Sequence, residues 1–277
     1  MKHPKILYPS SSTHLKDLSW FGNLNTYYPN VELTDSVSVK FMDEDEKYSS
    51  EANIKLNPTL HDWNYEINTS GFRGKWDLNS DVIKLGFFGC SITLGQGVVE
   101  HDIFSSVVEQ HYTDKITSLN FGTTGASIQR VAKIISASSN LIDFDIIVIT
   151  LPPSTRFAFI EHDVGMLTDL LPDQQNLPEY KSLYNILTQD DFDMYACDAI
   201  QWMKAELRGK KILYSSWCPY MHEILKNLVG NEQLLPLFPV NDTGARDNMH
   251  PSSVCHKIYA DYIIQRLDDL NWVLQKD

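Results

Sequence analysis

Six consecutive residues, Ile146-Ile-Val-Ile-Thr-Leu151, are apolar at nearly every position and are cut off by Pro152-Pro153. A strand with one wet face alternates apolar and polar residues, so a strand with no polar side is buried on both faces, as in the middle of a parallel sheet covered by helices. The prolines end it because they donate no ladder hydrogen bond. From residue 82 onward the chain repeats strand, helix, strand, helix around this run, which predicts an α/β fold with a central parallel sheet of about five strands and helices on both faces. Ile83 to Phe88 is the first central strand, Asp102 to Tyr112 a helix, and Ile116 to Phe121 a second strand closing on Gly122-Thr-Thr-Gly125. Ile128, Val131, Ala132 and Ile135 share one helical face. Phe192, Tyr195, Ala196, Ala199 and Met203 mark a long helix ended by Gly209. Lys211 to Ser216 reads as a fourth strand and Leu234 to Val240 as a short fifth. A final helix is expected to open with Pro251 at its first position, with Val254, Ile258 and Tyr262 toward the core. Residues 160 to 185 read as a long irregular insertion at the rim of a site.

Residues 1–80 differ, being rich in Asn, Ser, Tyr and Asp, with short alternating pieces such as Val37-Ser-Val-Lys-Phe41. They predict an irregular strand-and-loop arm packed on a core spanning residues 81–277, a single domain overall, with no internal repeat or low-complexity linker. A chain of 277 residues, 43% hydrophobic and 11% aromatic, can bury a sizeable core. The net charge of −13 opposes binding to nucleic acid or an anionic membrane, since both need clustered Lys and Arg. Cys90, Cys197, Cys218 and Cys255 lie far apart without a C-x-x-C pair, which predicts reduced thiols rather than a zinc site or a disulfide framework. The acidic run Asp43-Glu-Asp-Glu46 reads as a solvated loop, and His61, His222 and His256 lack a metal-binding spacing, so neither metal nor cofactor is expected. The amino-terminal residues lack a signal-peptide pattern and no run of 18 apolar residues occurs, so a cytoplasmic or intracellular-soluble protein is expected.

The stretch Gly86-Phe-Phe-Gly-Cys-Ser-Ile-Thr-Leu-Gly-Gln-Gly97 drives the first central strand into a tight turn carrying Ser91. A hydroxyl on such a turn stands at the carboxyl edge of the sheet, where α/β proteins place their chemistry. Serine attacks at neutral pH only when a base takes its proton, preferably an imidazole oriented by a carboxylate. Asp247-Asn-Met-His250 sets an acid and an imidazole three residues apart just before the last helix. Ser91, His250 and Asp247 are therefore the candidate catalytic residues. Cys90, beside the serine, reads as a small buried thiol.

These segments resemble the blocks of the SGNH or GDSL-like hydrolases. Gly89-Cys-Ser-Ile-Thr-Leu-Gly95 looks like the serine block, Asn120-Phe-Gly-Thr-Thr-Gly125-Ala-Ser like the glycine block, and Asp247-x-x-His250 like the last. The resemblance spans roughly residues 65 to 268 and implies a three-layer flavodoxin-like fold. It also implies an oxyanion hole built from the N–H groups of Ser91 and Gly125. Ile67-Asn-Thr-Ser-Gly-Phe-Arg-Gly74 is similar to a segment found upstream of the serine block in some branches; Arg73 there reads either as a structural salt bridge or as a substrate contact, and Asn120 joins it as a candidate contact. The chain departs from the third block, whose Asn donates to the oxyanion: the corresponding strand runs into Leu151-Pro-Pro-Ser-Thr-Arg156. Ser154 or Thr155 could replace that donor with a hydroxyl, or Arg156 with positive charge.

The implied activity is hydrolysis of short acyl esters, including O-acetyl groups on carbohydrate, through an acyl-enzyme; O-acyl transfer uses the same serine chemistry. Aromatic residues of the arm (Trp20, Phe21, Tyr27, Tyr28, Trp63, Tyr65) and Trp217 and Tyr220 are candidate surfaces for stacking sugars. Two non-catalytic readings stand beside this one. A phosphate- or nucleotide-binding module on the same scaffold would use the hydroxyl-rich turn at a helix start, but neither G-x-G-x-x-G nor G-x-x-x-x-G-K-[ST] occurs. A carbohydrate-binding or structural protein would retain the fold without turnover.

Overall fold

The computed structural model describes residues 37–39, 65–68, 70–78, 81–161, 166–170, 178–245, 247 and 249–273. In chain order the strands are β1 (Val37–Val39), β2 (Tyr65–Ile67), β3 (Ile83–Gly89), β4 (Ile116–Gly122), β5 (Ile146–Leu151), β6 (Phe157–Glu161), β7 (Met166–Leu170) and β8 (Lys211–Ser216). The helices are α1 (Ser91–Leu94), α2 (Phe104–His111), α3 (Ile128–Ser139), α4 (Pro178–Ile186), α5 (Gln189–Glu206), α6 (Pro219–Leu228) and α7 (Ser253–Asp269).

The central sheet is parallel, in the order β4-β3-β5-β8. Numbered by first appearance this is 2-1-3-4, the doubly wound order in which the chain leaves the first strand toward one edge and returns past it toward the other. Right-handed crossovers then put α2 on one face and α3 and α5 on the opposite one. α2 packs against α7 and α3 against α5, completing three layers. β5 is buried at all six positions, as its unbroken apolar run requires. Phe88 stacks on Phe121 with centroids 4.6 Å apart, while Phe104 meets Tyr259 edge-on at 5.0 Å.

Several elements differ from expectation. The fifth strand is reduced to a single parallel bridge between Tyr214 and Leu234. Pro236 and Pro239 explain the shortfall, since neither can donate to a ladder. Pro251 lies outside α7: Ser252 is the cap, and the Asp242 carboxylate accepts from both its N–H and its hydroxyl. α7 is also rotated from the expected face. Val254 and Tyr262 are exposed, whereas Cys255, His256, Tyr259, Ala260, Ile263 and Leu267 form the buried stripe. The insertion expected to be irregular contains the antiparallel hairpin β6-β7 and helix α4. At the amino end β1 pairs with β2, while Trp20, Phe21, Tyr27, Tyr28, His61, Trp63 and the acidic run at 43–46 lie outside the described residues. All four cysteines are free, and no helix among the described residues is long and apolar enough to cross a membrane.

Candidate active site

β3 delivers Ser91 to the point where the strand order reverses, the crevice in which doubly wound sheets bind ligands. Its turn is built by close approach. A Cβ on Gly89 would lie 2.1 Å from Thr93 Oγ1 and 2.6 Å from the Thr150 carbonyl oxygen, so only glycine lets the strand end turn there. Ser91 then opens the single-turn helix α1, which Gly95 ends at φ 73°. In the following turn, a Cβ on Gly122 would meet Leu94 N at 2.0 Å. The two turns are bolted together: Thr123 N–H donates to the Gly89 carbonyl at 3.1 Å, and Asn120 Nδ2 to the Thr93 carbonyl at 2.8 Å. Gly125, at φ 70°, keeps its N–H free of internal partners among the described residues.

The third component arrives from the opposite end of the chain. His250 Nε2 lies 2.9 Å from Ser91 Oγ, although the two residues are 159 positions apart. His250 Nδ1 lies 2.6 Å from Asp247 Oδ2. The other Asp247 oxygen accepts the N–H groups of Met249 and His250, each at 3.0 Å, which fixes the carboxylate in its loop. Ala245 N–H closes that loop on the His250 carbonyl at 3.1 Å. Burial pushes the Asp247 carboxyl up, but the hydrogen bond and charge of His250 with the two backbone donors outweigh it and hold the group below its ordinary value. Asp247 is thus an anion poised against Nδ1–H, leaving the Nε2 lone pair toward the serine hydroxyl. His250 is 18% exposed and Asp247 4%, so the imidazole borders the opening while the carboxylate stays inside.

Other expected site residues do different work. Arg73 is fully buried and contacts no open surface; its guanidinium donates to the carbonyls of Leu94 (3.1 Å), Gly95 (2.6 Å) and Val98 (2.6 Å) and to Glu100 at 2.6 Å. The structural reading of Arg73 replaces substrate contact, because its donors brace the loop that follows Ser91. Asn120 is corrected likewise, its amide being consumed by Thr93, Ser105 and the Gly122 N–H. Ser154 does not supply the third oxyanion donor: its one hydroxyl proton goes to Asp193 Oδ1 at 2.8 Å, and Gln189 donates to its oxygen. Tyr65 is enclosed beneath Arg73 and accepts the Gly97 N–H, so it offers no face to a sugar. Arg156, by contrast, has its guanidinium carbon 5.1 Å from the Trp217 ring centroid.

One support escaped the sequence. Asp169 of β7 accepts the Ser127 N–H at 2.9 Å and pairs with Arg130, so the inserted hairpin grips the start of α3 two residues beyond Gly125. Nothing local to an insertion of mixed composition marks that aspartate. Asp191 is different, because Thr188-Gln-Asp-Asp191 is a capping box legible in the sequence and it does open α5.

A parallel sheet ordered 2-1-3-4 between two helical layers, with serine, glycine turn and Asp-x-x-His meeting at one edge, is a doubly wound α/β fold. No protein-family profile matches the chain, and no curated protein matches it. Solved structures are similar to it. A family two carbohydrate esterase from Clostridium thermocellum, solved with cellohexaose, aligns at 12% identity over 76% of this chain and 74% of its own, with a TM-score of 0.46. An acetyl xylan esterase from Butyrivibrio proteoclasticus aligns at 13% identity over 72% and 68%, with a TM-score of 0.43. A G-D-S-L family lipolytic protein from Veillonella parvula aligns at 12% over 66% and 97%, with a TM-score of 0.40.

Proposed function

We propose that the chain is a serine-dependent carboxylic ester hydrolase acting on short acyl esters, with small O-acyl groups on carbohydrate as the substrate class. The observation that carries this reading is the continuous hydrogen-bonded path from Asp247 through His250 to Ser91. Ser91 Oγ attacks the ester carbonyl while His250 Nε2 takes its proton and then returns it to the leaving alcohol. Asp247 holds the imidazole tautomer and stabilises the imidazolium. Water, activated by the same imidazole, resolves the acyl-enzyme. The N–H groups of Ser91 and Gly125, which have no backbone partner among the described residues, receive the tetrahedral oxygen. A single oxyanion donor is worth about 2.7–4 kcal/mol, so a hole with two backbone donors and no Asn amide implies slower turnover than a three-donor hole. The rings of Trp217 and Tyr220, which follow β8 at the same edge, supply the surface for the sugar portion.

The test is a panel of p-nitrophenyl esters from acetate to palmitate, with a fluorophosphonate probe to identify the nucleophile. Short esters are expected to be cleaved, the probe to attach to Ser91, and Ser91→Ala and His250→Ala each to lose at least about 10³-fold, because the three residues act as a unit. Equal rates in all three proteins would remove the assignment and leave a binding protein on a hydrolase scaffold.

A further inference from the structure

Arg156 Nη1 and Trp217 Nε1 are both enclosed, and neither has a hydrogen-bond acceptor. The Arg156 guanidinium carbon lies 5.1 Å from the centroid of the Trp217 ring. The chain holds 36 acidic residues against 23 Lys and Arg, yet no described carboxylate pairs with Arg156. Enclosed donors without acceptors are uncommon in folded proteins and call for an explanation. Other arginines here are satisfied: Arg73 has Glu100 and three carbonyls, and Arg130 has Asp169. Asp193 of α5, which reaches these loops through Ser154 and Tyr220, is already engaged by Ser154, Gln189 and Tyr220.

The position of the pair matters as much as its chemistry. β5 neighbours β3, with Thr150 opposite Gly89, and β8 neighbours β5, with Ser216 opposite Leu151. Arg156 follows β5 within a tight turn closed by its own N–H on the Pro153 carbonyl. Trp217 directly follows Ser216. Strands spaced about 4.8 Å apart therefore start both loops within roughly 10 Å of the strand end that carries Ser91. A planar guanidinium beside an indole N–H presents donors only, and the group that answers donors with acceptors and a charge with its opposite is a carboxylate.

We infer that Arg156 and Trp217 form a subsite for a carboxylate, so that the preferred esters carry an acid group a few bonds from the scissile acyl linkage. This rests on the esterase reading for the chemistry but not for the binding. Two arms separate them. In Ser91→Ala protein, calorimetric titration compares 4-acetoxybenzoate with its neutral methyl ester; in active protein, the same pair is compared by kcat/KM. The charged ester is expected to bind at least about tenfold tighter and to be turned over with a similar advantage. Adding Arg156→Gln is expected to bring both ratios close to one, with Arg156→Lys between, since an ammonium keeps the charge but loses the fork. Equal affinity for the two esters in Ser91→Ala protein, or a preference that survives Arg156→Gln, would overturn the subsite. Binding that discriminates without any turnover in the active protein would retain the subsite and defeat the esterase reading.

Discussion

At the scale of single residues the site is a division of labour between Asp247 and the imidazole it holds. Asp247 sits inside the protein with both oxygens occupied, and its carboxyl is held below the usual range despite burial. A depressed carboxyl stabilises the fold above its ordinary value and loses that contribution as pH falls through the native one, so the His250 loop is expected to loosen first in acid. Asp247→Asn keeps the shape but removes the charge that supports an imidazolium and lets the ring settle in the wrong tautomer. We expect kcat on p-nitrophenyl acetate to fall by about 10³ to 10⁴ with KM little changed; a loss below tenfold would show that His250 needs no anionic partner. The candidates Ser91, Asp247 and His250 were legible because each sits in a short motif. Ser154 was not, since its hydroxyl is diverted by Asp193, which lies 39 positions away in another element.

At the scale of elements, the site depends on how closely two turns approach. Gly122 touches the backbone of α1, and Asn120 ties the same turn to Thr93. Gly122→Ala would force a methyl group into Leu94 N, which cannot yield as a flexible side-chain tip would. We expect it to cost about 1–3 kcal/mol of stability, read from the urea midpoint, and to lower kcat more than KM because Ser91 moves with α1. Wild-type kcat in a folded Gly122→Ala protein would show that the helix does not position the nucleophile. The strands and α3 follow from local pattern, since strand burial and helical periodicity are written into neighbouring residues. α7 was legible as a helix but not in its rotation. Its stripe includes His256, a polar type whose burial is decided by Phe104 and Phe238 packing on it.

At the scale of the whole molecule, His256 links the fold to pH. It is enclosed between Phe104 and Phe238, its Nδ1 accepts the Phe104 N–H, and burial pushes its pKa down to about 3. The unfolded chain titrates the same imidazole near its ordinary value of 6.5, so between these limits the unfolded state holds a proton that the folded state excludes. Stability is therefore full above that value and is lost as pH falls toward the native one. His256→Gln keeps an acceptor for the Phe104 N–H without a titrating ring, and its melting temperature should decline less steeply than wild type between pH 6.5 and 4. Parallel curves for the two proteins would show that other groups carry the acid sensitivity.

The sequence by itself determined the alternating layers, the buried middle strand and the three motifs, because each is a pattern among neighbours that local sterics and burial convert directly into structure. Only the tertiary structure decided which polar residues are free. Arg73 and Ser154 are consumed by partners 21 to 39 positions away and the Asn120 amide by Thr93 and Ser105, 27 and 15 positions away, while Arg156 Nη1 is left without one. Donor and acceptor pairing across distant elements depends on where the sheet and its loops come to rest, and no spacing along the chain encodes that.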